Sequence, residues 1–212
     1  MLRNWIRCLF HLFVLIGFST ANAGAYEDFF KAIELDNPRL LSGLLERGFD
    51  PNTLDARGQS GLYVSLREGS TKAEAVLLAH PATQIDGENS AAETPLMMAA
   101  LRGRLDASQR LLDRGARVNK DGWTPLHYAA AGPELGVVKL LLDRGAKVDA
   151  LAPNGSTPLM MAARDGAIDA VPLLLSRGAD PKLRNKAGLS AADFARGAGR
   201  DTLAAKLDAA AR

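Results

Sequence analysis

The sequence predicts an all-α solenoid: a row of short helix pairs, stacked side by side and joined by β-hairpin or loop fingers. Three observations carry this expectation. The heptapeptide Thr94-Pro-Leu-Met-Met-Ala-Ala returns as Thr124-Pro-Leu-His-Tyr-Ala-Ala and Thr157-Pro-Leu-Met-Met-Ala-Ala, at intervals of 30 and 33 residues. Weaker copies begin at Ser60, 34 residues before Thr94, and at Ser190, 33 after Thr157. A second signature, Leu-Leu-x-Arg-Gly, closes on Gly48, Gly115, Gly145 and Gly178, and Leu77-Leu78-x-x-Pro81 holds the missing place. Such a period marks supersecondary units that cannot bury an apolar face alone and must stack on their neighbours.

The fullest copy explains its own residues. Thr124 can cap the free N–H groups of a helix start. Pro125 follows where its missing N–H costs nothing. Leu126 to Ala131 form a short alanine-rich helix that a neighbour can approach closely, and Gly132-Pro133 ends it. A second helix is predicted from about Glu134 to Arg144, with Leu135, Val138, Leu141 and Leu142 at helical spacing. Gly145 supplies the left-handed residue that stops it. A period near 33 residues with Thr-Pro-Leu-His resembles the ankyrin repeat, over roughly residues 25–212. The resemblance implies an ankyrin-repeat solenoid with protruding fingers. It says little about function, because a fold does not set one.

Residues 1–23 read as an address. Arg3 and Arg7 make a positive start, Cys8 to Phe18 an apolar core, and Ser19-Thr-Ala-Asn-Ala23 a small-residue cleavage site before Gly24. This is a secretory signal pattern. The apolar run is about half of the ~20 residues a spanning helix needs, so cleavage between Ala23 and Gly24 is expected, with no stable membrane insertion afterwards. The leader carries the entire formal charge of +2, which leaves 24 basic and 24 acidic residues in the mature chain. A neutral chain gives no argument for nucleic acid or anionic membranes. The only cysteine, Cys8, also leaves with the leader. A thiol-free chain suits an oxidising compartment, so a periplasmic or secreted location is predicted.

One domain, 24–212, is expected after the leader, in about six units: an N-terminal cap 25–57, then 58–91, 92–121, 122–154, 155–187, and an alanine-rich C-terminal cap 188–212 with Leu203 and Leu207 facing inward. The unit 58–91 has Ser60-Gly-Leu-Tyr in place of Thr-Pro-Leu-His, and Gly61 lowers helix propensity. It should be the least regular. Pro172 should bend the second helix of its unit unless it lies within the first turn. Gly58, Gly155 and Gly188 lie six positions after Asn52, Asp149 and Lys182, but Gly122 lies only three after Asn119. Drift in an exposed loop explains that shortening; the alternative is a recess opened beside Trp123.

Catalysis finds little support. His127 occupies the repeat's own histidine position, where the resemblance implies hydrogen bonds within and between repeats. His80 falls at a helix end, a favourable place for partial positive charge. After the leader, two histidines and no thiol supply no set with metal-ligand spacing, and no nucleophile or phosphate-cradling motif is present. Met97-Met98 and Met160-Met161 are soft donors, but Met97 and Met160 more simply replace the histidine and fill packing. No catalytic residue, metal or cofactor is assigned. An Asn154-Gly-Ser156 sequon matters only in a host that glycosylates exported proteins.

Recognition remains. The resemblance implies that a partner lies against the finger tips and the inner-helix face. The matching positions are Arg57, Gln59, Arg67 and Glu68, then Glu93, Leu101, Arg102, Lys120 and Trp123. Ala131, Ser156, Arg164, Asp165, Arg184, Asn185, Lys186 and Leu189 complete the stripe. Trp123 is the best single anchor, since a partly exposed Trp can bury a large area at an interface; its ring could instead fold over its own finger. The function predicted is an exported module that binds a protein partner and scaffolds, stabilises or inhibits it, and is a monomer on its own. The alternatives are a non-catalytic subunit of an envelope enzyme and, more remotely, an enzyme or metal binder.

Overall fold

The computed structural model describes residues 24–167 and 169–212. Residues 1–23, where a leader and its cleavage after Ala23 are expected, lie outside the described residues. Twelve helices occur among them: α1 (24–34), α2 (Pro38–Glu46), α3 (Gly61–Glu68), α4 (Thr71–Ala79), α5 (Pro95–Leu101), α6 (Leu105–Asp113), α7 (Pro125–Ala131), α8 (Leu135–Asp143), α9 (Pro158–Arg164), α10 (Ala170–Ser176), α11 (Ala191–Gly197) and α12 (Asp201–Ala210). They form two compact units that part between Thr83 and Gln84. The fold is the predicted all-α repeat solenoid, and its fingers are loops. The β pairing seen among the described residues is one isolated antiparallel bridge, Leu54 with Ser60.

In the unit that ends at Thr83, α1 to α4 bury Phe29, Ile33, Leu41, Leu62, Leu66 and Leu77 completely. Its second repeat departs from the others at the end of α4, where His80 is extended and no left-handed glycine follows, but its first helix starts regularly. Ser60 Oγ accepts the Tyr63 N–H at 3.3 Å and starts α3 in place of Thr-Pro. Gly61 has a packing reason: a Cβ there would lie 2.6 Å from the Phe29 ring and 2.9 Å from Ile33. The lost helix propensity is the cost of letting α1 come close.

The unit from Gln84 onward stacks four helix pairs. Successive first helices α5, α7, α9 and α11 pack in a row, as do the second helices α6, α8 and α10, while α12 packs on α11. Alanine makes the first row tight. Gly166 makes it tighter, since a Cβ there would sit 2.2 Å from the Ala130 carbonyl oxygen of the preceding repeat. A leucine seventeen residues after each Ser/Thr cap runs through the stack as Leu111, Leu141, Leu174 and Leu207, each 0–1% exposed. Leu203 is only half-buried, so one of the two leucines expected inside the last helix reaches the core. Pro172 is the third residue of α10, within the first turn, and breaks no helical hydrogen bond.

The repeats are tied by polar rungs near the second-helix ends. Asp86 accepts the Arg117 N–H at 3.1 Å, Asn119 Oδ1 that of Lys147 at 2.9 Å, and Asp149 that of Asp180 at 3.2 Å. Asp113–Arg144 and Asp143–Arg177 pair across neighbouring repeats, each at 2.9 Å. Arg200 latches the end of the stack, its Nη1 donating to the carbonyls of Ala162, Ala163 and Gly166 at 3.0–3.3 Å. Four fingers of the chain close the same turn. Asp55, Asn89, Ala152 and Asn185 donate their N–H to the carbonyl four residues on, and the residue three places on sits at positive φ. That residue is glycine in three fingers and Ala92, at φ +57°, in the fourth.

Candidate functional site

Residues four and seven places after a helix cap share one helix face, and the residue before the cap lies at its edge. In the unit from Gln84 onward the row before the cap reads Glu93, Trp123, Ser156, Leu189. The fourth-place row is Met98, Tyr128, Met161, Phe194, and the seventh-place row Leu101, Ala131, Arg164, Gly197. Ser156 is fully buried; Trp123, Leu101 and Ala131 are half-buried, and Arg164 is exposed.

The seventh-place row sets the relief. Between Leu101 on α5 and Arg164 on α9, α7 offers only a methyl group. The step down leaves a recess of about 190 Å³ walled by Leu101, Trp123, Tyr128, Ala131, Met161 and Arg164, with His127 also on its lining. A recess therefore lies beside Trp123, and the small side chain of Ala131 deepens it.

Each wall is held. The Trp123 indole meets the His127 ring edge-on, with centroids 5.2 Å apart at 77°, and Tyr128 at 6.5 Å and 87°. The indole thus folds onto the first helix of its own repeat rather than over its finger. The Tyr128 hydroxyl donates to Glu93 Oε1 at 2.8 Å. Arg164 Nε donates to Asp165 Oδ2 at 2.6 Å, its Nη2 lies 3.9 Å from Met161 Sδ, and its guanidinium carbon stands 5.9 Å from the Phe194 ring centroid.

His127 braces the recess from below. Its Nδ1 accepts the Thr124 N–H at 3.2 Å and lies 2.9 Å from the Thr124 hydroxyl; its Nε2 lies 3.0 Å from the Ser156 carbonyl oxygen. A nitrogen that faces a carbonyl must donate and one that faces an N–H must accept, so these partners select the neutral Nε2–H tautomer. Burial pushes the pKa below the ordinary 6.5, while the carbonyls of Ser156 and Ala150 oppose the shift. Thr124 is the N-cap of α7 as expected and forms a capping box with His127, its hydroxyl also meeting the ring, while Thr94 and Thr157 cap their helices at 3.3 Å. At the histidine position of those repeats, Met97 and Met160 accept the Thr94 and Thr157 N–H through Sδ at 3.4 Å.

Of the predicted stripe, the structure brings Leu101, Trp123, Ala131 and Arg164 together, with Asp165 on Arg164 and Glu93 behind Tyr128. Arg102 is exposed at the C-cap of α5. Lys120 is folded back with 11% of its side chain exposed, on Glu88 at 3.3 Å and on the Ala92 carbonyl. Arg184 donates to the Gly188 carbonyl at 2.7 Å, and Asn185 Oδ1 accepts the N–H groups of Ala187 and Leu189 at 3.0 Å. Exposed Lys186 joins two fingers through its N–H to the Asn154 carbonyl at 3.0 Å. In the unit that ends at Thr83, Arg67 pairs with Glu68 at 2.8 Å and donates to Gln59, while Arg57 is exposed on its finger. Gly24 begins the described residues in α1, and His80 is the C-cap of α4.

Tyr128 and Met161 were not singled out as site residues. Their signal was the fourth place after the cap, a row that register alone identifies. Among the described residues no three His, Cys, Asp or Glu side chains are grouped to hold a metal ion, and no helix is long and apolar enough to cross a membrane. A family model described as ankyrin repeats (3 copies) matches residues 29–121 and 115–185.

Proposed function

Since the chain belongs to the ankyrin repeat family, whose repeats mediate protein–protein contact, we propose that it is an exported, non-enzymatic module that binds a periplasmic protein through the first-helix face of residues 84–212 and scaffolds, stabilises or inhibits it. The recess beside Trp123 carries this reading. It combines an aromatic edge, a thioether and aliphatic carbon with an exposed guanidinium, the mixture that anchors tight interfaces. The side chains around it have structural partners of their own, so the face is shaped before anything arrives, which lowers the entropic cost of association.

Export rests on residues 1–23, with their basic start, apolar core and Ala-x-Ala end. Fractionation of the native cell, with N-terminal sequencing of the recovered protein, should find Gly24 first and the protein outside the cytoplasm. A cytoplasmic protein that still begins at Met1 would end that part of the proposal. Binding is tested by affinity purification from the native envelope fraction with the wild type, Trp123→Ala and Arg102→Glu. One co-eluting protein should be depleted by both variants; a co-eluting protein whose yield neither variant changes would refute the assigned face.

A further inference from the structure

We infer that the recess admits one large apolar side chain of a partner segment and that an acidic side chain next to it on that segment docks on Arg164. The inference rests on the proposed reading of this face as a protein-binding surface.

Size decides the first half. Small-molecule sites enclose about 300–1,000 Å³, whereas this recess holds about 190 Å³ and opens on a helix face. That suits one side chain and not a metabolite. Its walls are ring edges, aliphatic carbon and the Met161 thioether, a lining that rewards burial of apolar surface.

The chemistry of Arg164 decides the second half. A guanidinium has five N–H donors in a planar fork. Asp165 takes Nε at 2.6 Å, and among the described residues Nη2 meets only the Met161 sulfur, at 3.9 Å. That weak contact leaves the Nη edge to a carboxylate, which can accept two parallel bonds there. The neighbouring finger cations are committed, since Arg117 and Lys120 both pair with Glu88 at 3.1 and 3.3 Å. The acid on the recess side, Glu93, already accepts from Tyr128. A basic residue beside the anchor would face Arg164, with exposed Arg102 next to Leu101. An acidic one is complementary.

The test is selection of a displayed random-peptide library on the purified full chain, followed by affinities of the enriched peptides for the wild type, Ala131→Leu and Arg164→Gln. Leucine is tolerated at this place in the repeat, as Leu101 shows, so Ala131→Leu fills the recess on a folded chain. The enriched sequences should pair a large apolar residue with an adjacent Asp or Glu. Ala131→Leu should abolish their binding. Arg164→Gln should weaken it about tenfold, the scale of a lost hydrogen bond to a charged group, and should leave peptides with the acid changed to its amide unaffected. Peptides lost on Ala131→Leu but with no acidic preference, or indifferent to Arg164→Gln, would overturn the acidic partner and keep the face. Failure to enrich any peptide, or enriched peptides indifferent to Ala131→Leu, would overturn both.

Discussion

Met97, His127 and Met160 occupy one place in three successive repeats and meet the same need with different atoms. Each accepts the N–H of its helix cap, the methionines through sulfur at 3.4 Å and the histidine through Nδ1 at 3.2 Å. Only the histidine adds a bond to the next repeat and only it titrates. Its folded pKa lies below 6.5, so the unfolded chain takes up the proton first. The contribution is complete above pH 6.5 and is lost as pH falls through the depressed folded value. His127→Met should therefore flatten the fall in stability below pH 6.5, read from denaturant midpoints across pH; parallel curves for the two proteins would contradict this. Ala92 offers a second check. At φ +57° an L-residue costs about 1–2 kcal/mol, and glycine returns about 0.4–1 of that through the unfolded chain. Ala92→Gly should stabilise by roughly 0.5–1 kcal/mol in equilibrium unfolding. The histidine's role was legible from its place in the repeat. The partners of Tyr128 and Lys120 were not: Tyr128 is held by Glu93, 35 residues earlier, and Lys120 is turned inward by Glu88, and neither pairing shows in a single repeat.

At the scale of the element, register made the helices readable. Thr-Pro at 94–95, 124–125 and 157–158 starts α5, α7 and α9 where predicted. What the period could not convey is why the degenerate copy still starts its first helix as the others do. Gly61 looks like a weakness until Phe29 is seen against it. Gly166 is the sharper case, because the atom it spares is a backbone oxygen that cannot move aside. Gly166→Ala should destabilise by about 2–3 kcal/mol, as overpacking does, with no loss of helix content in the folded protein by circular dichroism. Thr157→Ala should cost about 1 kcal/mol, the usual worth of a hydroxyl cap. The same change at Thr124 acts on the His127 ring as well as on a helix end.

At the scale of the whole molecule, each repeat leans only on its neighbours, so position along the stack sets how far a defect is felt. Leu141 lies between two repeats and Leu207 in the last one, at the same place and equally buried. Leu141→Ala should cost about 3–5 kcal/mol and Leu207→Ala about 2–3, within the known span for leucine truncation; equal losses by urea denaturation would argue against nearest-neighbour stacking. Stacking uses the buried leucines, alanines and backbone carbonyls, and the proposed binding face uses mainly the half-buried and exposed side chains beside them. The hollow at Ala131 is an omission, a methyl group where flanking repeats carry longer side chains. Nothing in the core has to be rebuilt to create it, and a single codon could erase it. New partners could thus be gained or lost by drift at positions the scaffold does not need, with heat stability left where it was.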